Sequence, residues 1–349
     1  MSNGLTGVPL AINPLSRKDF VSDQDVRWCP GCGDYAILSA FQQLMPNLGI
    51  RKENTVTISG IGCSSRFPYY VDSFGMHTIH GRALTLATGL AMTRSDLAVF
   101  VITGDGDALS IGGNHLIHAL RRNVNLTVVL FNNEIYGLTK GQFSPTSVLG
   151  KVTKTSPMGT VEPPVNASAL ALGAGATFVA RVLASDRKRM SQVLEKAAKH
   201  RGASLVEVYQ NCPIFNDGAF EDVNSDGLIW LEDGQPAVTA DGKLGVVAGP
   251  DGIGLVDASV ADVISHNPHI ANPSRAFELS QLSSAERPDV SVAGILREVE
   301  APTFDDLSRA QVDIGCPRPW GENPLQPAPA LTDDQLADAI AGPDTWVID

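Results

Sequence analysis

The residues best suited to chemistry fall into two sets, one of sulfur and one of oxygen. "VRWCPGCGDYAIL" (26–38) carries Cys29 and Cys32 as a CxxC pair, Cys63 closes "TVTISGIGC", and Cys212 closes "VEVYQNC". A CxxC can be a redox couple, half of a zinc site or half of an iron–sulfur site. Four thiolates from three segments make a closed site for zinc or for a [4Fe–4S] cluster, and long uneven spacing does not decide between them. In the oxygen set, Gly104-Asp105-Gly106-Asp107 ends one apolar run and Asn132-Asn133-Glu134-Ile135-Tyr136-Gly137 ends the next, with 28 residues from Asp105 to Asn133. A carboxylate and an amide oxygen are hard ligands. They suit Mg2+ held against a diphosphate, because Mg2+ keeps few protein ligands and takes phosphate oxygens readily. The glycines let backbone N–H groups approach phosphate, and a helix after Gly112-Gly113 adds a favourable dipole end.

These residues need rigid elements to hold them. From 25 to about 215, buried apolar runs ("TVTIS", "LAVFVIT", "NLTVVLF", "ATFVARVLA", "ASLVEVY") alternate with helical ones ("GRALTLATGLAMT", "IGGNHLIHALRRN", "DRKRMSQVLEKAAKH"). That alternation predicts an α/β fold with a mostly parallel sheet covered by helices on both faces. Ligands of such sheets sit beyond the carboxyl ends of the strands, where both oxygen motifs fall. Residues 1–24 read as an irregular arm, and 216–349 as an irregular C-terminal extension rich in Pro and Gly that contacts a subunit. In that extension "TDDQLADAIAG" is a helix candidate with Thr332 as N-cap.

Composition narrows the function. The chain has 349 residues, 43% of them hydrophobic, and a net charge of −12. The acidic balance argues against non-specific nucleic-acid binding, which leaves a basic footprint. "MSNGLTGVPLAINPLSRKDF" lacks a basic start followed by an apolar block, and "PPVNASALALGAGATFVA" reads as small-residue packing, so neither export nor a membrane span is expected. A cytoplasmic setting follows, where five cysteines serve metal binding or catalysis better than disulfides.

"WCPGCG", "GIGCSSRFPYY", "HTIHGRALTLATG", "GDGDALSIGGNHLIHALRRN" and "NNEIYGLTKGQFSPTS" occur in this order. Together they resemble the β subunit of 2-oxoacid:ferredoxin oxidoreductases, over roughly residues 25–220. The resemblance implies a thiamine-diphosphate-binding fold. It carries thiamine diphosphate to Ile61, Gly62, Cys63, Ser64, His80, Gly104, Asp105, Gly106, Asp107, Asn133, Tyr136, Gly137, Leu138 and Thr139. It gives Mg2+ to Asp105, Asn133 and the carbonyl of Ile135, and a [4Fe–4S] cluster to Cys29, Cys32, Cys63 and Cys212, with Cys316 a spectator thiol. The activity implied is oxidative decarboxylation of a 2-oxoacid to an acyl-coenzyme A, with electrons passed to ferredoxin. The glutamate that activates the cofactor's aminopyrimidine belongs in this family to the other subunit or domain. An α partner is therefore expected, in an α2β2-type assembly, and the chain alone should be inactive.

Arg66 and Lys140 follow cofactor-binding turns, and in the resembled family these positions suggest the substrate pocket. Two cations there favour 2-oxoglutarate, the one candidate with a second carboxylate, over pyruvate and other oxoacids. Two rival readings remain: a thiamine-dependent decarboxylase or ligase subunit with a structural four-cysteine zinc site, and a non-catalytic assembly subunit.

Overall fold

The computed structural model describes residues 3–224, 226–250, 252–260, 262–282, 290–314 and 332–342. Its strands are β1 (Thr55–Ser59), β2 (Phe74–His77), β3 (Ala98–Gly104), β4 (Leu126–Asn132), β5 (Phe178–Leu183), β6 (Ala203–Tyr209), β7 (Leu228–Leu231), β8 (Leu244–Gly249), β9 (Gly252–Asp257) and β10 (Ser291–Glu298). Its helices are α1 (Asp34–Leu48), α2 (Ala83–Thr93), α3 (Asp105–Leu109), α4 (Gly113–Arg121), α5 (Ala167–Gly173), α6 (Arg187–Lys199), α7 (Ser274–Ser280), α8 (Phe304–Ile314) and α9 (Asp333–Ala341).

One eight-stranded sheet runs β2-β1-β3-β4-β6-β5-β10-β7, and β8 and β9 form a separate antiparallel pair. All pairings in the large sheet are parallel except β5 with β10. Strands β3, β4 and β6 are buried along nearly their whole length because helices cover both faces. On one face Val99, Val101, Val128 and Leu130 pack against α2, α4, α5 and α7; on the other Phe100, Ile102, Val129 and Phe131 pack against α1 and α6. The helices supply matching stripes. Ile37, Phe41, Leu44, Met45 and Leu48 recur at helical spacing on α1, as do Met190, Val193, Leu194 and Ala197 on α6. Ala83, Ala87 and Ala91 let α2 lie close to the sheet.

The expected fold class holds. Contacts divide the chain at Phe304/Asp305, so the expected boundary at 215/216 falls inside the larger unit. The reason is topological: β10 pairs with β5, and β7 with β10, so the extension adds two strands to the main sheet. The first residues are irregular but pinned, through bridges Asn3–His200, Leu10–Ile50 and Val21–Val71 and a fully buried Phe20. In the second unit, described by itself, the Thr332 side chain accepts from the Gln335 amide and the Gln335 side chain accepts from the Thr332 amide, which is the expected cap of α9. Cys316 lies outside the described residues. Among the described residues no helix is long and apolar enough to cross a membrane.

Candidate functional site

Three neighbouring parallel strands, β1, β3 and β4, end at one edge of the sheet, and the loops that leave them enclose a cleft. Fourteen expected cofactor contacts line it: Ile61, Gly62, Cys63, Ser64, His80, Gly104, Asp105, Gly106, Asp107, Asn133, Tyr136, Gly137, Leu138 and Thr139. Ile135 lines it too. Phe131 and Gln210, which the motifs do not point to, complete the wall. Burial at a strand end was the only available signal for either.

The glycines act by having no side chain. A Cβ on Gly106 would lie 2.1 Å from Cε1 of Tyr136, whose hydroxyl donates to the Gly106 carbonyl at 3.1 Å. A Cβ on Gly137 would lie 3.4 Å from Cys63 Sγ and 3.8 Å from Cys212 Sγ, so the Gly137 backbone passes directly over two of the thiols.

Asp105 is buried, and its Oδ2 accepts from Ser144 Oγ at 2.5 Å and from Thr146 Oγ1 at 2.7 Å. Burial pushes its carboxyl up to about 6, partly offset by those two hydroxyls. A buried carboxylate with both hydroxyl donors on one oxygen leaves the other for a cation. Ser144 and Thr146 were not among the expected site residues, although "GQFSPTS" follows the Asn132-Asn133 pair closely. Asn133 Oδ1 accepts from the Ile135 amide at 3.2 Å, a local turn that brings the amide oxygen and Ile135 together at the strand end. Asp105, Asn133 and the Ile135 carbonyl therefore form an all-oxygen donor set that fits Mg2+.

Asp107 plays a different part from its expected neighbours. Its Oδ1 accepts from the amides of Ile61 (3.1 Å) and Gly81 (2.8 Å) and lies 2.5 Å from His80 Nδ1, while Oδ2 accepts from Thr103 Oγ1 at 2.7 Å. It ties the turns after β1 and before α2 to β3, and it orients His80. Because His80 Nδ1 is committed to Asp107, any bond to a phosphate falls to Nε2, which donates only when the ring carries both protons.

The four cysteines of the expected cluster are free thiols brought together from three segments. The Cys32 thiol interacts electrostatically with Cys63 and Cys212, and Cys63 with Cys29. Burial, and then the nearby Asp34 carboxyl, pushes Cys63 up to about 12 and Cys32 above its usual value. Burial also pushes Asp34, at the start of α1, up to about 7, offset in part by the Cys32 thiol. The Trp28 indole donates to the Cys63 carbonyl at 2.7 Å and packs edge-on to Tyr35 and Tyr70, which fixes the CxxC loop against the turn after β1. Among the described residues no three His, Cys, Asp or Glu side chains stand at single-ion spacing. Four soft, unpaired thiols are a donor set that fits a polynuclear cluster. Cys63 belongs to both sets of residues, because it also lines the cleft.

Arg66 and Lys140, expected at the substrate pocket, are not among the residues that line the cleft. Arg66 turns its Nε to the Tyr70 hydroxyl at 3.0 Å. Lys140 is exposed on a left-handed residue (φ 78°) just past Thr139, because the turn after Gly137 carries it outward.

Residues 60–208 match the family model for the thiamine pyrophosphate enzyme, C-terminal TPP binding domain. The 2-oxoglutarate oxidoreductase subunit KorB of Mycobacterium tuberculosis is 53% identical over 98% of this chain and 91% of its own length. A 2-oxoacid:ferredoxin oxidoreductase subunit beta of Saccharolobus solfataricus is 48% identical over 54% of this chain and 63% of its own. In structure, the chain superposes with a TM-score of 0.75 and 34% identity on the 2-oxoglutarate:ferredoxin oxidoreductase of Magnetococcus marinus, solved with 2-oxoglutarate, coenzyme A and succinyl-CoA bound; the match covers 96% of this chain and 100% of that one. Near-complete coverage at such identity leaves one conclusion: the chain belongs to the family of 2-oxoacid:ferredoxin oxidoreductase β subunits.

Proposed function

We propose that this chain is the β subunit of a 2-oxoglutarate:ferredoxin oxidoreductase, which with an α partner converts 2-oxoglutarate and coenzyme A to succinyl-CoA and CO2 and passes the electrons to ferredoxin. The observation that carries the reading is the convergence of the Asp105 and Asn133 strand ends with Cys63 in a single cleft. When bound, thiamine diphosphate supplies carbanion chemistry for loss of CO2 and an iron–sulfur cluster supplies one-electron chemistry.

The residues of this chain divide that work. Asp105, Asn133 and the Ile135 carbonyl hold Mg2+, and the Gly-rich turns at 104–106 admit the diphosphate to backbone amides. His80, oriented by Asp107, closes one side of the cleft, and Tyr136 closes another. Cys29, Cys32, Cys63 and Cys212 would hold a [4Fe–4S] cluster, and Cys63 also lines the cleft. Arg66 and Lys140 remain the candidates for the second carboxylate of the substrate. They follow the cleft-lining residues Ser64 and Thr139 closely in the chain, and the Lys140 side chain has no hydrogen-bond or ion-pair partner among the described residues.

The test is reconstitution with the α partner under anaerobic conditions. Reduction of ferredoxin that depends on both 2-oxoglutarate and coenzyme A supports the reading. Protein that is colourless and loaded with zinc would instead favour the structural four-cysteine site, and loss of thiamine binding would favour an assembly role.

A further inference from the structure

Below the cleft, a chain of buried polar groups runs from the oxygen-donor turn into the sheet. Thr146 Oγ1 lies 2.7 Å from Asp105 Oδ2 and 2.9 Å from Asn132 Oδ1. Asn132 Nδ2 donates to Glu207 Oε1 at 2.9 Å. Glu207 Oε2 accepts from Ser168 Oγ at 2.8 Å and from Arg181 Nε at 2.9 Å. The remaining Arg181 nitrogens reach the Val292 carbonyl on β10 at 3.3 Å and Asn166 Oδ1, the cap of α5, at 3.1 Å. No member from Asp105 to Arg181 is more than 4% exposed.

Such an ion pair is a poor source of stability, because desolvation offsets its attraction and apolar residues of the same volume often do as well. Its effect here is on orientation. Glu207 is an acceptor, so it decides which end of the Asn132 amide faces it, and Oδ1 is left for the Glu134 amide at 3.2 Å and for the Thr146 hydroxyl, whose single proton it shares with Asp105 Oδ2. A flipped amide would set its NH2 against the Glu134 N–H. The Asn132–Glu134 bond closes a turn in which Glu134 is left-handed (φ 55°), and the next bond, Asn133 Oδ1 to the Ile135 amide, follows from it.

We infer that Glu207, held by Arg181, is a positioning residue for the cation site: through Asn132 it sets the 132–135 turn, and through Thr146 it braces Asp105. This rests on the cleft being the thiamine–metal site, and the experiment separates the two claims.

In the complex with the α partner, Mn2+ affinity is measured by electron paramagnetic resonance, alongside thermal midpoint and cluster absorbance. Arg181→Met/Glu207→Met should keep a thermal midpoint close to wild type and an unchanged cluster spectrum, while Mn2+ affinity falls about 10- to 100-fold, the usual effect of removing a group behind a metal ligand. Thr146→Val, in a loop, should weaken Mn2+ in the same way, and the combined variant should lose less than the sum of the two. If the double Met variant does not fold, Glu207→Gln takes its place with the same readouts. Wild-type Mn2+ affinity in the folded variant, or strictly additive losses with Thr146→Val, would overturn the inference. If Asp105→Ala also leaves Mn2+ binding intact, the cation-site reading itself has failed.

Discussion

Asp105 concentrates the chemistry of the site at the scale of one residue. It is buried, its carboxyl is pushed up to about 6, and two hydroxyls already serve one of its oxygens. Asp105→Ala should therefore abolish retention of thiamine diphosphate at low Mg2+, measured as cofactor released from purified complex; full retention would remove Asp105 from the metal site. The pH dependence has a defined sign. Above about 6 the carboxylate is ionised and cation affinity is flat, whereas below it protons compete and affinity falls about tenfold per pH unit. In the metal-free protein the raised value means that the native state holds a proton between 3.8 and about 6 that the unfolded chain has lost, so the group's contribution to stability declines as pH rises through that window. A Mn2+ titration series across this range checks the first statement, and urea unfolding midpoints check the second. The thiols make a parallel case. Serine at Cys29, Cys32, Cys63 or Cys212 should lower bound iron and sulfide, because an alcohol replaces thiolate poorly, while Cys316→Ser should leave both unchanged.

Among the elements, two glycines separate what the strand ends do from what the strand pairing does. Gly106 sits at the first turn of α3, where a Cβ would meet the Tyr136 ring at 2.1 Å. Gly106→Ala should displace that half-buried ring and weaken cofactor binding with little change in thermal midpoint, since Tyr136 belongs to the cleft wall and not to the core. Gly294 lies on β10 at φ 106°, where a Cβ would meet the Leu231 carbonyl at 2.4 Å. Gly294→Ala should strain the β10–β7 pairing by about 1–3 kcal/mol and lower the thermal midpoint while Mn2+ affinity stays at wild type. Equal loss of stability in both variants would remove the division between site and scaffold.

For the whole molecule, the decisive property is incompleteness. On the proposed reading this chain supplies the metal-binding and cluster-binding side of the reaction, and the activating glutamate is expected from elsewhere. The isolated chain should show no ferredoxin reduction with 2-oxoglutarate and coenzyme A, and activity should appear on mixing with an α subunit, as an assembly whose mass fits α2β2. Turnover by this polypeptide alone would refute that. Exposed apolar side chains at the mouth of the cleft, Ile61 and Leu138, fit a surface that a partner covers. Substrate choice is tested at Lys140: Lys140→Met should lower kcat/KM for 2-oxoglutarate more than for pyruvate, and an equal loss on both would dissociate Lys140 from selectivity.

Much of this was legible in the residues themselves. Continuous apolar runs such as "LAVFVIT" and "NLTVVLF" announce strands covered on both faces, and the motifs at their ends mark the ligand edge, because strand direction alone fixes which end carries the turn. The fourteen expected cofactor contacts came from family resemblance, and they line one cleft because three parallel strands end there together. Local pattern could not reveal β2, exposed along its length, or β10, whose place beside β5 depends on a return of the chain over a hundred residues later. Nor could it reveal that Arg66 turns to Tyr70, that Ser144 and Thr146 converge on Asp105, or that Glu207 and Arg181 stand behind Asn132. Most of those contacts join segments distant in sequence. Side-chain chemistry and periodicity are written residue by residue, whereas the direction a side chain takes at the end of a turn is decided by what the packed sheet places against it.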